Sequence, residues 1–426
     1  MDTKRRSALD REEPGPGNMR LLYERDNQQW ILDYFVKTTG RDRQWFYDER
    51  KLPQGTRSYA MIPHQMERLA RHKETIAREA ESRGHRETAL EVYHQAALDY
   101  QVAQHALPYD DHPEKIYLHG KLTECFDRVI ALSPTPIERV EIPWNGASLG
   151  GYFYPLPDRR KAPTVVFING MDVPKEVYPD ALRNPFTARG LNTIVVDGPG
   201  QGVSNLRKIR ITPDNHERAM QAVLDYLEQR PEVDVNRIAC TGFSFGSFWA
   251  MRLAASEKRI AAVASAAACL GTKYGLFQQV SPHYKRQFMY MSGIYDEREF
   301  DQVAEKYVLT DQQLASIKCP VLMVVGEFDR MCPLPEAWRV YQNLRCPKEF
   351  WLAEDDDHTP HRYPQFGNIP AFPVFADWLR DVMLKGLPPD HDRRVILKQN
   401  SGRGQYGPEA PGFWLPERIG AEGRDR

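Results

Sequence analysis

An excess of charge of either sign is what this sequence lacks: 57 lysines and arginines stand against 58 aspartates and glutamates, a formal net charge of -1. With no global field to favour nucleic acid or an acidic membrane surface, a small molecule or a protein is the expected partner. Long apolar runs are missing too. No stretch of about 18 apolar residues occurs, so a membrane span is not expected. The N-terminus, MDTKRRSALDREEPGPGNMR, has charges but no apolar segment behind them, which argues against a secretory leader and for a cytoplasmic protein. Cysteine is sparse. Cys125, Cys240, Cys269, Cys319, Cys332 and Cys346 show no CxxC spacing, which excludes the usual zinc and dithiol motifs and leaves buried free thiols as the expectation. No metal and no cofactor is called for.

What is there is enough chain for more than one core. At 426 residues the sequence implies one large domain with an accessory one. Residues 1–18, polar and carrying Pro-Gly-Pro-Gly, read as a flexible lead. Residues 19–135 read as a helical N-terminal cap domain. One helix follows Pro63, a second runs through RETALEVYHQAALDYQVAQHA with small and large residues alternating (Ala89, Tyr93, Ala96, Ala97, Tyr100), and a third follows Pro113.

After Pro134 the texture changes. ERVEIPWNGASLGGYFYPL alternates apolar and polar residues around Asn145-Gly146, a hairpin signal. Then TVVFIN, TIVVDG, RIACTG, AAVASAAA, VLMVVG and EFWLAE alternate with helical stretches, the pattern of an α/β domain with a mostly parallel sheet covered on both faces. This domain is expected over residues 136–385, ending with the amphipathic PVFADWLRDVML. It is interrupted at 270–318 by a helical, aromatic-rich insertion that reads as a lid. Residues 386–426, rich in glycine, proline and charge, read as an arm or a disordered tail.

Within the α/β stretch, RIACTGFSFGSFWAMRLAAS puts Ser244 between Gly242 and Gly246, with an apolar strand before it and a helix former after it. Such a turn pushes one hydroxyl out of the fold beside the unpaired N–H groups of a helix start. A serine nucleophile needs a base, and the base needs an orienting acid. GEFDRMCP, after VLMVVG, offers Asp329, with Glu327 as the alternative. DDDHTPHRYP, after EFWLAE, offers His358, with His361 three residues on. Ser244, Asp329 and His358 follow the chain order nucleophile, acid, base. Backbone N–H groups of Met171, beyond the turn at Asn169-Gly170, and of Phe245 are the candidates to receive an oxyanion.

GFSFG, DGPGQGVS at 197–204 and GMDVPKEVY at 170–178 together resemble the α/β-hydrolase superfamily over roughly residues 136–385. The glycines of DGPGQG allow a sharp loop, so Asp197 and Gly200 are expected to be architectural. The helical N-terminal portion and the pattern Gly170, Asp172, Lys175, Glu176 make the chain similar to one esterase-like subgroup, which includes 2,6-dihydroxypseudooxynicotine hydrolase and fungal melanin-pathway enzymes that shorten polyketide chains. That resemblance implies a triad of Ser244, Asp329 and His358 beneath a helical cap. It also implies cleavage of a carbon-carbon bond next to a ketone, or of an ester, in a polyketide-like or aromatic metabolite. The approach to the base departs from the subgroup's pattern, because His358 follows three aspartates, and His361 stays open there. A broad carboxylesterase or thioesterase, and a cyclase, acyl-transfer or dehydration catalyst or a binding scaffold on the same fold, are the alternative outcomes. Phe277, Phe288, Tyr290 and Tyr295, with Trp30, Tyr34, Trp45 and Phe46, are candidates for an aromatic pocket, and a cap of this kind can supply a homodimer contact.

Overall fold

The computed structural model describes residues 33–34, 36–37, 52–267, 269–354, 356–358 and 369–397. The lead at 1–18, Trp30, Trp45, Phe46, His361 and the chain beyond 397 lie outside the described residues. The described residues divide into two compact units, one of which holds those up to Leu132 together with Ser281–Val303, the other those of Ser133–Val280 and from Ala304 on. The middle of the predicted lid is thus grouped with the N-terminal helices, so the helical unit is discontinuous in sequence.

In the helical unit, α1 (Ile62–Ser82), α2 (Arg86–His105) and α3 (Pro113–Leu132) begin as the prolines suggest, with Pro63 and Pro113 in first turns. Ala89, Tyr93, Ala96, Ala97 and Tyr100 of α2 are all buried, the small residues letting the helices approach. A buried carboxylate ties the three together: Glu74 of α1 accepts from Tyr100 of α2 at 2.7 Å and from Lys121 of α3 at 2.8 Å. Burial alone would raise its pKa, but the Lys121 and Tyr100 bonds and the Arg78 charge hold it below the ordinary value. Phe288 and Tyr290, offered as pocket residues, are buried on the helix Pro282–Ser292 of this unit, and Tyr34 is exposed.

The second unit is built on nine strands of the described residues: β1 (Glu138–Trp144), β2 (Ala147–Tyr154), β3 (Ala162–Ile168), β4 (Asn192–Val196), β5 (Val233–Phe243), β6 (Ile260–Ala266), β7 (Val321–Gly326), β8 (Lys348–Ala353) and β9 (Asp392–Leu397). They form one sheet in the order β1-β2-β4-β3-β5-β6-β7-β8-β9. β1 and β2 are the antiparallel hairpin, turning through Asn145 and Gly146, both with positive φ (49° and 76°) as a two-residue turn of matching twist requires. From β4 to β9 every pairing is parallel. Their interior is close to uniformly apolar: every residue of β3, β4 and β7 is buried. β9 lies in the stretch read from sequence as a tail. Of the six cysteines, all are free, five of them buried and Cys319 partly exposed.

Candidate active site

The turn after β5 is built by steric exclusion. A β-carbon on Gly242 would collide with the backbone oxygen of Gly246, and one on Gly246 would collide with the carbonyl oxygens of Ile168 and Asn169. Only glycine at both positions lets the helix Phe245–Ser256 start against the ends of β5 and β3. Ser244 sits between them at φ 54° and ψ -128°, a backbone state costly for a residue with a side chain and typical of a strained functional turn. The strain is held by its surroundings: Ser244 N–H donates to Ala266 O at 2.9 Å, and the Ser247 hydroxyl donates to Gly242 O (3.0 Å) and Ala266 O (2.9 Å).

The Ser244 hydroxyl is 2.8 Å from His358 Nε2, and His358 Nδ1 is 2.7 Å from Asp329 Oδ2. A carboxylate can only accept, so Nδ1 carries the proton of that bond and Nε2 is left as the acceptor for the hydroxyl. The other oxygen of Asp329 accepts the N–H groups of Met331 and Cys332, each at 2.9 Å, which fixes the carboxylate plane. Asp329, not Glu327, therefore faces the imidazole. The loop after β8 reaches it because Gly326, at the end of β7, lets the backbone of Asp357 come close enough that a β-carbon there would clash. His358 N–H donates to the Asp357 carboxylate at 2.7 Å. The aspartate run that blurred the choice of base thus caps the loop that presents it.

His358 is 8% exposed. Burial disfavours its charged form, but the charge and hydrogen bond of Asp329 more than offset this, and its pKa is raised above the ordinary 6.5. Burial, with the charges of Asp357 and Asp329, lifts the neighbouring Asp356 carboxyl to about 7. Cys332 Sγ lies 3.7 Å from His358 Nδ1 and 3.4 Å from Ala267 O, and burial pushes this thiol well up. Asp329, Cys332 and His358 bring three potential ligand atoms within 4.8 Å of one another. The first and last already share a hydrogen bond, which a metal would have to break.

Phe245 occupies the first turn of the helix Phe245–Ser256, and Met171, buried, follows the end of β3. The contact of Gly246 with Ile168 O and Asn169 O shows that the loop holding Met171 runs along that first turn. This loop is braced by ions. Lys175 Nζ bonds Glu176 at 2.7 Å and Asp197 at 2.9 Å, while Asp197 also accepts the N–H groups of Lys175 and Val203, both at 2.8 Å. Burial would lower the Lys175 pKa; the two carboxylates outweigh it and raise it. Asp197 is architectural in this sense. Sequence reasoning did not find the cap at Asp357, the N–H pair on Asp329, or Gln201, whose amide reaches into the same loop, although all three lie in stretches it quoted: DDDHTPHRYP, GEFDRMCP and DGPGQGVS.

The arrangement resembles known proteins over most of its length. The profile of the FrsA-like family, described as esterase FrsA-like, matches residues 68–341. A 2,6-dihydropseudooxynicotine hydrolase of Paenarthrobacter nicotinovorans is 28% identical over 319 residues, covering 75% of this chain and 83% of that protein. The hydrolase pyiE of Pyricularia grisea is 32% identical over 222 residues, covering 45% of this chain and 46% of that one, so the match spans about half the fungal protein. Among solved structures, the 2,6-dihydroxy-pseudo-oxynicotine hydrolase aligns with TM-score 0.69 and 25% identity over 86% of this chain and 99% of that one.

Proposed function

This chain belongs to the esterase FrsA-like family and is an α/β-hydrolase, and from that premise we propose that Ser244 is its nucleophile, His358 its general base and Asp329 the residue that orients the imidazole. The observation that carries the reading is the pair of hydrogen bonds, 2.8 Å and 2.7 Å, linking the three side chains in one line. As Oγ of Ser244 attacks a carbonyl carbon, His358 Nε2 takes its proton. The N–H groups of Met171 and Phe245 receive the charge that develops on the carbonyl oxygen. Collapse of the adduct breaks the bond to the leaving group, and the imidazolium returns the proton to that group. Water, deprotonated by the same nitrogen, then releases the acyl group as an acid and restores Ser244.

The leaving group decides the substrate class. Expelling carbon requires it to depart as an enolate, so the bond broken lies next to a second ketone. On the family resemblance, the substrate is a β-diketone-like metabolite of aromatic or polyketide type. Ester cleavage is the second reading, favoured by the description of the family as esterases. A fluorophosphonate probe tests the mechanism: the wild-type chain is labelled and Ser244→Ala is not, while equal labelling of both would end the assignment. Among 4-nitrophenyl esters and aryl β-diketones, faster turnover of the diketones is expected; turnover of esters alone would transfer the protein to the second reading.

The pH dependence follows from the raised His358 pKa. The base works only when neutral, so activity is lost as protons bind it. We expect log kcat/KM to rise by one per pH unit on the acid side and to bend at an apparent pKa above 6.5. A bend near 4 would mean that a carboxylate serves as the base.

A further inference from the structure

Gln201 is buried, at 1% exposure, in the Asp197–Gly202 turn. Its amide Nε2 donates to Gly170 O at 2.8 Å and lies 3.4 Å from Met171 O and 3.5 Å from Asn169 O. Three consecutive carbonyls therefore converge on one donor. In a trans peptide the C=O and N–H point in opposite directions. The Gly170 carbonyl and the Met171 N–H belong to the same peptide plane, so a donor fixed on the first aims the second the other way. It also withdraws electron density from the peptide, which strengthens the N–H as a donor.

The donor is itself held. Gln201 Oε1 accepts Gly198 N–H at 3.2 Å, Gln201 N–H donates to Gly198 O at 3.0 Å, and Gly200 N–H donates to Ile209 O at 2.7 Å. Gly202 follows at φ 39°, where a β-carbon would run into the Asp197 carboxylate. On the other side, Val173 N–H reaches Gly170 O at 3.3 Å, and the Asn169 amide reaches Pro174 O at 3.3 Å and Tyr178 O at 3.4 Å. A rigid turn thus presents one amide to one peptide.

We propose that Gln201 is a positioning residue for oxyanion stabilisation: it locks the Gly170–Met171 peptide in the orientation that offers the Met171 N–H to the reacting oxygen. This rests on the role given to Met171 under the proposed function. It assigns a task to the Gln of DGPGQG that a purely architectural turn would not need.

The test compares wild type with Gln201→Leu, which removes the donor at similar volume, and Gln201→Glu, which puts an acceptor there. With 4-nitrophenyl acetate, kcat falls about 10- to 100-fold with KM within about twofold, short of the roughly 100- to 1,000-fold that removing a donor outright causes. Affinity for a trifluoromethyl ketone, whose serine adduct carries an oxyanion, falls by the same factor as kcat. Affinity for the methyl ketone of the same shape, which binds without forming an adduct, is unchanged. Equal loss for both ketones, or unchanged kcat in both variants, overturns the proposal. So does failure of both variants to fold, judged by circular dichroism, since Gln201 would then be a folding residue; if only one folds, that one decides. Fluorophosphonate labelling separates this from the underlying reading. If wild-type Ser244 is not labelled, the hydrolase mechanism has failed; if the Gln201 variants are labelled at Ser244 at the wild-type rate, only the present inference has.

Discussion

Ser244→Ala lowers kcat for any turned-over ester or diketone by about a millionfold, the scale seen when a serine nucleophile is removed from a triad. Among the described residues the Ser244 hydroxyl has a single partner, His358 Nε2, so the substitution removes one hydrogen bond and creates no cavity large enough to matter. Alanine at φ 54° is no less strained than serine, and the turn keeps its backbone bonds to Ala266 and from Ser247. The melting temperature should therefore stay within a few degrees of wild type. This separates loss of chemistry from loss of fold. His358→Ala should cost about as much, and the double variant little more than either, because nucleophile and base act as one unit. Multiplicative losses in the double variant, measured by single-turnover kinetics, would show that the two side chains do not share a step.

Asp329→Asn is the second large effect, about ten-thousandfold in kcat near neutral pH. The geometry explains why so small a change costs so much. One oxygen of Asp329 accepts two backbone N–H groups, from Met331 and Cys332, so an asparagine must keep its carbonyl oxygen there. Its NH2 then faces His358 Nδ1, which can only accept, and the ring proton is driven to Nε2. That is the nitrogen that has to receive the serine proton. The same substitution removes the carboxylate that holds the His358 pKa up, so the acid limb of the pH profile moves down as the rate falls. Glu327→Gln, whose carboxylate does not hold the imidazole, should change kcat by less than about threefold. A larger loss there than at Asp329 would exchange the roles of the two acids.

These effects bear on how much of the molecule could be read in advance. The serine turn was legible because all its determinants sit within twenty residues: a β-branched strand, two glycines where strand and helix meet, and a helix former. The same holds for the Asn145-Gly146 hairpin and for the buried strands, whose apolar runs leave no alternative face. β9 was missed because its sequence, Asp392–Leu397, opens with three exposed or half-buried charged residues and buries only its last three, the habit of an edge strand. The split of the 270–318 insertion between two units has no local signal, since its aromatic residues suit a lid and a helical core equally well.

Local chemistry in this sequence determined the elements, their α/β order and the position of a strained serine, because φ/ψ preference and side-chain periodicity act over a few residues. Asp329 and His358 could be named from their loops only beside Glu327 and His361, and it is tertiary contact that brings those two side chains into line with Ser244. Asp329 and His358 come from separate loops that meet only where Gly326 lets two strand ends close together, and Gln201 reaches a peptide some thirty residues before it. Hydrogen bonds fall off within a few tenths of an ångström, so such choices are settled by where the sheet brings the backbone, which no window along the chain contains.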